Sequence, residues 1–173
     1  MSFFEEFKDL YGLGRGPYSS DPVNLCTGNF VLEAKDLEIK GIRPLSFVRT
    51  YNSLSKESYS CGVGWSHNHE IYLMENKDTI EIHIGTGGQV RTFQKTAQGY
   101  QTEEKVKESL SKEMNGYIYQ DFAKKKYFFN RQGLCEEIQD SRENITKYSY
   151  EKGQLVKVEN LCGTLLFSYN KEK

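Results

Sequence analysis

Apolar positions along the chain follow two different periods. In residues 2–11, SFFEEFKDLY, the side chains Phe3, Phe4, Phe7, Leu10 and Tyr11 are spaced by threes and fours, which gathers them on one helical stripe. Ser2 followed by Glu5 matches a capping box and Gly12 supplies a stop, so a short amphipathic N-terminal helix is predicted. The stretch GLGRGPYSSDP then reads as a turn-rich connector. From Val23 the period drops to two, which is the spacing of a strand with one face in the core. Thr27-Gly28-Asn29 separates VNLC from FVLEAKDLEI, and Gly41 to Pro44 turns the chain into LSFVRTY, with Leu45, Phe47, Arg49 and Tyr51 on one face. Residues 65–74 are predicted as a single strand carrying Trp65, His67, His69, Ile71 and Leu73 on one side. TIEIHI follows with Ile80, Ile82 and Ile84 inward and His83 outward, and Gly85-Thr86-Gly87-Gly88 leads into QVRTF. Residues 101–116 are polar; Val106, Leu110 and Met114 sit four apart, so either a marginal helix or a long solvated hairpin fits them.

The C-terminal segment repeats itself. DSRENITKYSY (140–150) and ENLCGTLLFSY (159–169) each end aromatic-Ser-Tyr at an offset of 19 residues. Ile138 and Val158 hold equivalent places after Gly133 and Gly153. A period near twenty with one glycine turn and one aromatic strand end predicts stacked β-hairpins, with rings such as Tyr148 and Tyr150 lining up from one hairpin to the next. The expected fold is therefore all-β, a curved antiparallel sheet of successive hairpins behind a short helix. Its expected divisions are 1–20 for helix and connector, 21–116 for an N-terminal β domain and 117–173 for the repeats.

Composition agrees with this reading and narrows the function. Aromatic residues make 13% of the 173-residue chain, and all three prolines lie at or before Pro44, leaving the rest free of the residue that breaks sheet ladders. Lys plus Arg is 23 against 24 for Asp plus Glu, a net charge of −1 that gives no field for nonspecific nucleic-acid binding. Cys26, Cys61, Cys135 and Cys162 are too widely spaced for a CxxC pair and are expected as free thiols. The N-terminus lacks the charge and apolar pattern of a cleavable signal peptide, and no stretch is long and apolar enough for a membrane span.

Candidate chemistry is sparse. His67, His69 and His83 invite a metal reading, but His83 alternates away from the other two, so a hydrogen-bonded structural pair is preferred and no metal or cofactor is expected. The glycines at 85–88 sit between strands, which suits a hairpin turn better than a phosphate loop. Lys124-Lys125-Lys126 before Tyr127-Phe128-Phe129 could grip a single strand of nucleic acid, but is expected to protect a strand edge. No nucleophile elbow or Ser/His/Asp order is visible. Asn144-Ile145-Thr146 matches a glycosylation sequon. Arg49, on an apolar face, needs a carboxylate or carbonyl partner, and Trp65 is expected to anchor the sheet.

Several of these segments resemble the Rhs (YD-repeat) family. Asp21-Pro22-Val23-Asn24 with Thr27, Gly28, Asn29 and Phe30 is similar to the opening of the domain that precedes the repeats in Rhs proteins. Arg49, Thr50, Tyr51, Asn52 and Ser53, then Gly62 to His67 with Gly64, Trp65 and His67, resemble a further block of that domain, and the YSY and FSY ends (Tyr148, Tyr150, Phe167, Tyr169) resemble YD repeats. The resemblance implies a non-catalytic scaffold: a twisted sheet that, in longer relatives, spirals into a shell around a C-terminal toxin used in competition between bacteria. It implies further repeats or a toxin domain as partners, and a cytoplasmic protein until a specialised route exports it. About two repeats are too few to close a shell, so a segment or a truncated relative is expected. The alternative is a carbohydrate- or protein-binding module acting through exposed aromatic ladders, with self-association possible at an open sheet edge near FSYN.

Overall fold

The structure, a computed structural model, describes residues 28–85, 90–102 and 107–169. The helix expected at 2–11, the strand expected at 23–26, Thr27 and most of the 85–88 loop lie outside those residues. Among the described residues the chain is all strand and turn, with no helix, and every strand pairing is antiparallel.

Val31–Ile39 (β1) pairs with Leu45–Asn52 (β2), Val31 facing Asn52 and Ile39 facing Leu45, with a register shift between Lys35 and Leu37. Ser58–Tyr59 (β3) and Gly62–Val63 (β4) make a small hairpin, and Trp65–His67 (β5) returns to the other side of β2. Ile71–Glu75 (β6), Thr79–Ile84 (β7), Val90–Thr96 (β8) and Gly99–Gln101 (β9) form a four-stranded meander. A seven-stranded meander follows in strict chain order: Ser109–Glu113 (β10), Gly116–Gln120 (β11), Lys126–Asn130 (β12), Cys135–Gln139 (β13), Ile145–Glu151 (β14), Gln154–Asn160 (β15) and Gly163–Leu166 (β16). The expected boundary between residues 116 and 117 thus falls within β11.

The core lies between these sheets. Ile80, Ile82 and Phe93 from the four-stranded sheet are fully buried with Tyr119 from the seven-stranded one, and Phe93 meets the Tyr119 ring edge-on at 6.0 Å. The inward isoleucines of TIEIHI emerge as the alternation predicts: Ile80 and Ile82 are sealed, Ile84 half-buried. The two sheets touch along their borders. Leu73 donates its N–H to the Gly133 carbonyl at 2.8 Å beside a Tyr72–Leu134 bridge, and Tyr100 packs on Tyr117 with ring centroids 6.2 Å apart. The sheets do not close into a barrel.

The register accounts for the internal repeat. Tyr127 faces Ile138 and Tyr148 faces Val158; Ile138 in turn faces Thr146, and Val158 faces Leu165. Successive hairpins therefore superpose, at an offset of 21 for Tyr127 and Tyr148, 20 for Ile138 and Val158 and 19 for Thr146 and Leu165, close to the period read from the residues. Both carry a register shift at the same place, between Phe128 and Phe129 and between Ser149 and Tyr150.

Three expectations are corrected by the packing, and the alternative left open over 101–116 is decided. The strand predicted over 65–74 is broken: the chain turns at Asn68 and His69, and the Asn68 side chain bonds the edge of β2, accepting from the Val48 N–H at 3.0 Å and donating to the Ser46 carbonyl at 2.9 Å. The end of the polar 101–116 stretch is strand β10, with Leu110 buried and Met114 left exposed at the turn, so no helix forms over its described part. Lys124 and Lys125 occupy the β11–β12 turn and β12 lies inside the sheet, so they guard no edge. Rings of successive hairpins also do not stack on one another throughout. Tyr148 and Phe167 hold equivalent places in the repeat but have β15 between them, at least roughly 9–10 Å by strand spacing; Val158 of β15 faces Tyr148 on one side and Leu165, not Phe167, on the other.

Turn chemistry supplies what periodicity missed. Asn130 and Asn160 end strands β12 and β15, Asp121 and Asp140 directly follow β11 and β13, and each side chain accepts one or two backbone N–H groups of the turn at 2.8–3.0 Å. Such a side chain imitates a backbone turn and fixes the hairpin without a tertiary partner.

Candidate functional site

The aromatic strand ends converge on the seam where β2, β5 and the β5–β6 turn lie across the seven-stranded sheet. Phe167 sits against Phe47, His67 and His69 with ring centroids 5.7, 6.1 and 6.2 Å apart, and Tyr148 packs on His69 at 5.8 Å. Tyr148 is 7% exposed, and Tyr150 and Phe167 are half-buried against the same core. Tyr169, at 37% exposure, hydrogen-bonds through its hydroxyl to the Leu155 carbonyl at 2.9 Å.

The two histidines at the seam are neutral and occupied. His69 Nε2 lies 2.8 Å from the Ser46 carbonyl and Nδ1 lies 3.4 Å from the Tyr148 hydroxyl, so an Nε2–H tautomer satisfies both. The His69 backbone N–H donates to His67 Nδ1 at 3.1 Å, leaving His67 Nε2 toward Glu70 at 3.7 Å. Burial pushes both imidazoles down to about 4. Glu70 also accepts from the His67 N–H at 3.0 Å and the Ser60 N–H at 2.9 Å, tying the β3–β4 hairpin to the turn. Among the described residues no group of three or more His, Cys, Asp or Glu side chains is placed to hold a metal ion. His83, expected outward, is half-buried and stacks face to face on Tyr72 at 4.4 Å.

The second block of sequence-predicted residues forms a compact unit around β2. Arg49 finds the carboxylate it needs: its Nη2 donates to Asp36 Oδ1 at 2.8 Å, and its guanidinium lies 5.1 Å from the Trp65 ring. The guanidinium holds the Asp36 carboxyl below the usual carboxylate range. Asp36 occupies the irregularity in β1, which is why pattern alone could not pair it with Arg49. Trp65 is half-buried and packs on Tyr51 at 5.2 Å; Thr50 is buried on the opposite face. Gly64 is a close-approach glycine: a Cβ there would meet the Asn52 carbonyl at 2.9 Å and the Tyr51 ring at 3.0 Å. Asn52 donates its N–H to the Gly64 carbonyl at 2.9 Å and accepts the Leu54 N–H on its side chain at 3.0 Å. Gly28 has φ of 69°, and Asn29 accepts a hydrogen bond from the Ser53 hydroxyl at 3.1 Å, so the opening segment and the block after β2 are laced together.

A cleft of about 510 Å³ opens beside the seam, floored by Leu45, Ile71, Ile138 and Tyr148. An ion pair between Arg43 and Asp140 spans it, and Asn160 donates to the Arg43 carbonyl at 3.1 Å. Asn144 gives its side-chain amide to both Asp140 oxygens at 3.0 and 3.1 Å, so the sequon asparagine is held by a carboxylate. Cys135 is a buried free thiol, and Cys61 and Cys162 are free and partly exposed.

Residues 20–93 match a family model described as a domain of unknown function, DUF6531. The matched stretch contains β1 to β7 and the start of β8, including the Arg49–Trp65 unit and both buried histidines. It covers less than half of the chain and stops before the hairpin repeats. No curated protein matches the chain.

Proposed function

We propose that this chain is a non-catalytic scaffold that starts a larger curved β-ribbon of the Rhs, YD-repeat kind. The observation that carries this reading is the unbroken seven-stranded meander, whose inward aromatic ends are seated on the N-terminal strands at His67, His69 and Phe47. Such a base supports ribbon growth in one direction only. At one border β10 lies beside β9, whereas no further strand pairs with β16 among the described residues. A sheet border of that kind is a template for another hairpin. In this reading the side chains that resemble family motifs hold architecture. The partners are further repeats and whatever they enclose, ultimately a toxic domain delivered between bacteria by a specialised export route.

The test is addition of a polypeptide of YD-type hairpin repeats, followed by backbone hydrogen exchange. Protection that rises in Gly163–Leu166, with one repeat polypeptide bound per chain, is the expected result. Unchanged exchange there, together with binding on a glycan array, would instead favour a carbohydrate-binding module.

A further inference from the structure

The cleft beside Arg43 is large enough to take a short segment of chain. It adjoins a second hollow of about 610 Å³ that shares Arg43, Lys125, Asp140 and Asn144 with it. Both volumes lie within the roughly 300–1,000 Å³ of ordinary binding clefts. The rim of the pair carries Arg43, Lys125 and Arg142 against the single carboxylate of Asp140, an excess of positive charge in a chain whose net charge is −1. The rim is also apolar where solvent should favour polar groups: Ile42 is 98% exposed and Leu161 85%. Neither side chain contributes to the core, and they flank a floor of Leu45, Ile71 and Ile138. An apolar trough edged by cations suits an acidic segment with large apolar side chains.

The segment 3–11, FFEEFKDLY, has that chemistry. It sets Phe3, Phe4, Phe7, Leu10 and Tyr11 at amphipathic spacing beside Glu5, Glu6 and Asp9, with Lys8 as its single cation. We infer that residues 3–11 dock into the Arg43–Lys125–Arg142 cleft of the same chain, apolar stripe inward and carboxylates toward the rim. The reach is sufficient. Sixteen residues lie between Tyr11 and Gly28, a tether spanning up to about 56 Å when extended. The run along β1, from its start near Gly28 to the cleft end near Ile39, is on the order of 30 Å. The connector GLGRGPYSSDP carries glycine, serine and proline, which suits a tether better than a packed element. Docking would cover Ile42 and Leu161 and add carboxylates to a rim that carries the Arg43–Asp140 ion pair.

The experiment places the photo-crosslinking residue p-benzoylphenylalanine at Phe7 of the full chain and maps its products. Expected are intramolecular products at 42–46, 123–125 or 142–146, in a yield independent of protein concentration. Lys125→Glu with Arg142→Glu should lower that yield several-fold, and adding Glu5→Lys with Glu6→Lys should restore it. Circular dichroism of each variant checks that the strands persist, since both cations lie in turns. Products elsewhere on the chain would overturn the inference. So would dimeric products that rise with concentration, which would assign the cleft to a second copy, or a yield indifferent to both charge reversals. None of these outcomes bears on the β16 border, so this inference and the scaffold reading fail separately.

Discussion

Single side chains at the seam carry a pH dependence of definite sign. His67 and His69 are held down to about 4 by burial, below the value near 6.5 of an exposed imidazole. Between those values the unfolded chain binds protons that the folded chain refuses, so each ring's contribution is whole above about pH 6.5 and lost as pH falls toward 4. The expected loss is about 3 kcal/mol per ring between pH 7 and 4, read by denaturant unfolding across that range. Proton NMR should show both rings still neutral at pH 5; a ring titrating near 6.5 would contradict its burial. Glu75 adds to the same trend, because the Tyr117 hydroxyl and Lys95 hold its carboxyl down to about 2. Candidate residues were only partly legible at this scale. Arg49 announced its need for a carboxylate, but Asp36 as the partner depended on an irregularity in β1 that no alternation reveals.

At the scale of the hairpin, two glycines that look equivalent in sequence differ in their surroundings. Gly133 and Gly153 have φ of 82° and 81°, in the left-handed region where a Cβ is strained. A Cβ on Gly133 would lie 2.0 Å from the Leu73 carbonyl oxygen, whereas one on Gly153 meets nothing within 4 Å. Gly153→Ala is therefore expected to cost about 1 kcal/mol, the backbone term alone. Gly133→Ala should cost at least about 3 kcal/mol, because the Leu73–Gly133 hydrogen bond that joins two sheets must also be displaced. Paired thermal melts of the two variants measure the difference; equal shifts would mean that this join contributes little. The hairpins themselves were legible, since their glycines and aromatic ends recur together. The sheet-to-sheet contact of one turn was not.

Across the whole molecule, Phe167 is the test of whether the N-terminal strands and the ribbon behave as one body. Its ring touches Phe47, His67 and His69, all from the first half of the chain. Phe167→Ala should cost about 3 kcal/mol, less if the half-buried site collapses. It should also raise amide exchange at Ser46, Asn68 and Ile71 while leaving β11–β13 near their original rates. Uniform acceleration over the whole chain would instead indicate a single cooperative unit with no distinct seam.

The sequence alone determined the alternating strands, the hairpin period and the inward identity of Ile80 and Ile82, because two-residue alternation and turn residues act over a few neighbouring positions. Tertiary structure decided where the aromatic ends point. Equivalent rings in successive hairpins stand two strands apart, so they cannot reach one another and fill the space against buried histidines instead. It also broke the predicted 65–74 strand at Asn68 and His69, since Asn68 bonding along β2 satisfies that edge while the chain turns away to begin a second sheet. Local spacing carries no information about which distant surface a residue will meet, and the seam and the cleft are made of such meetings.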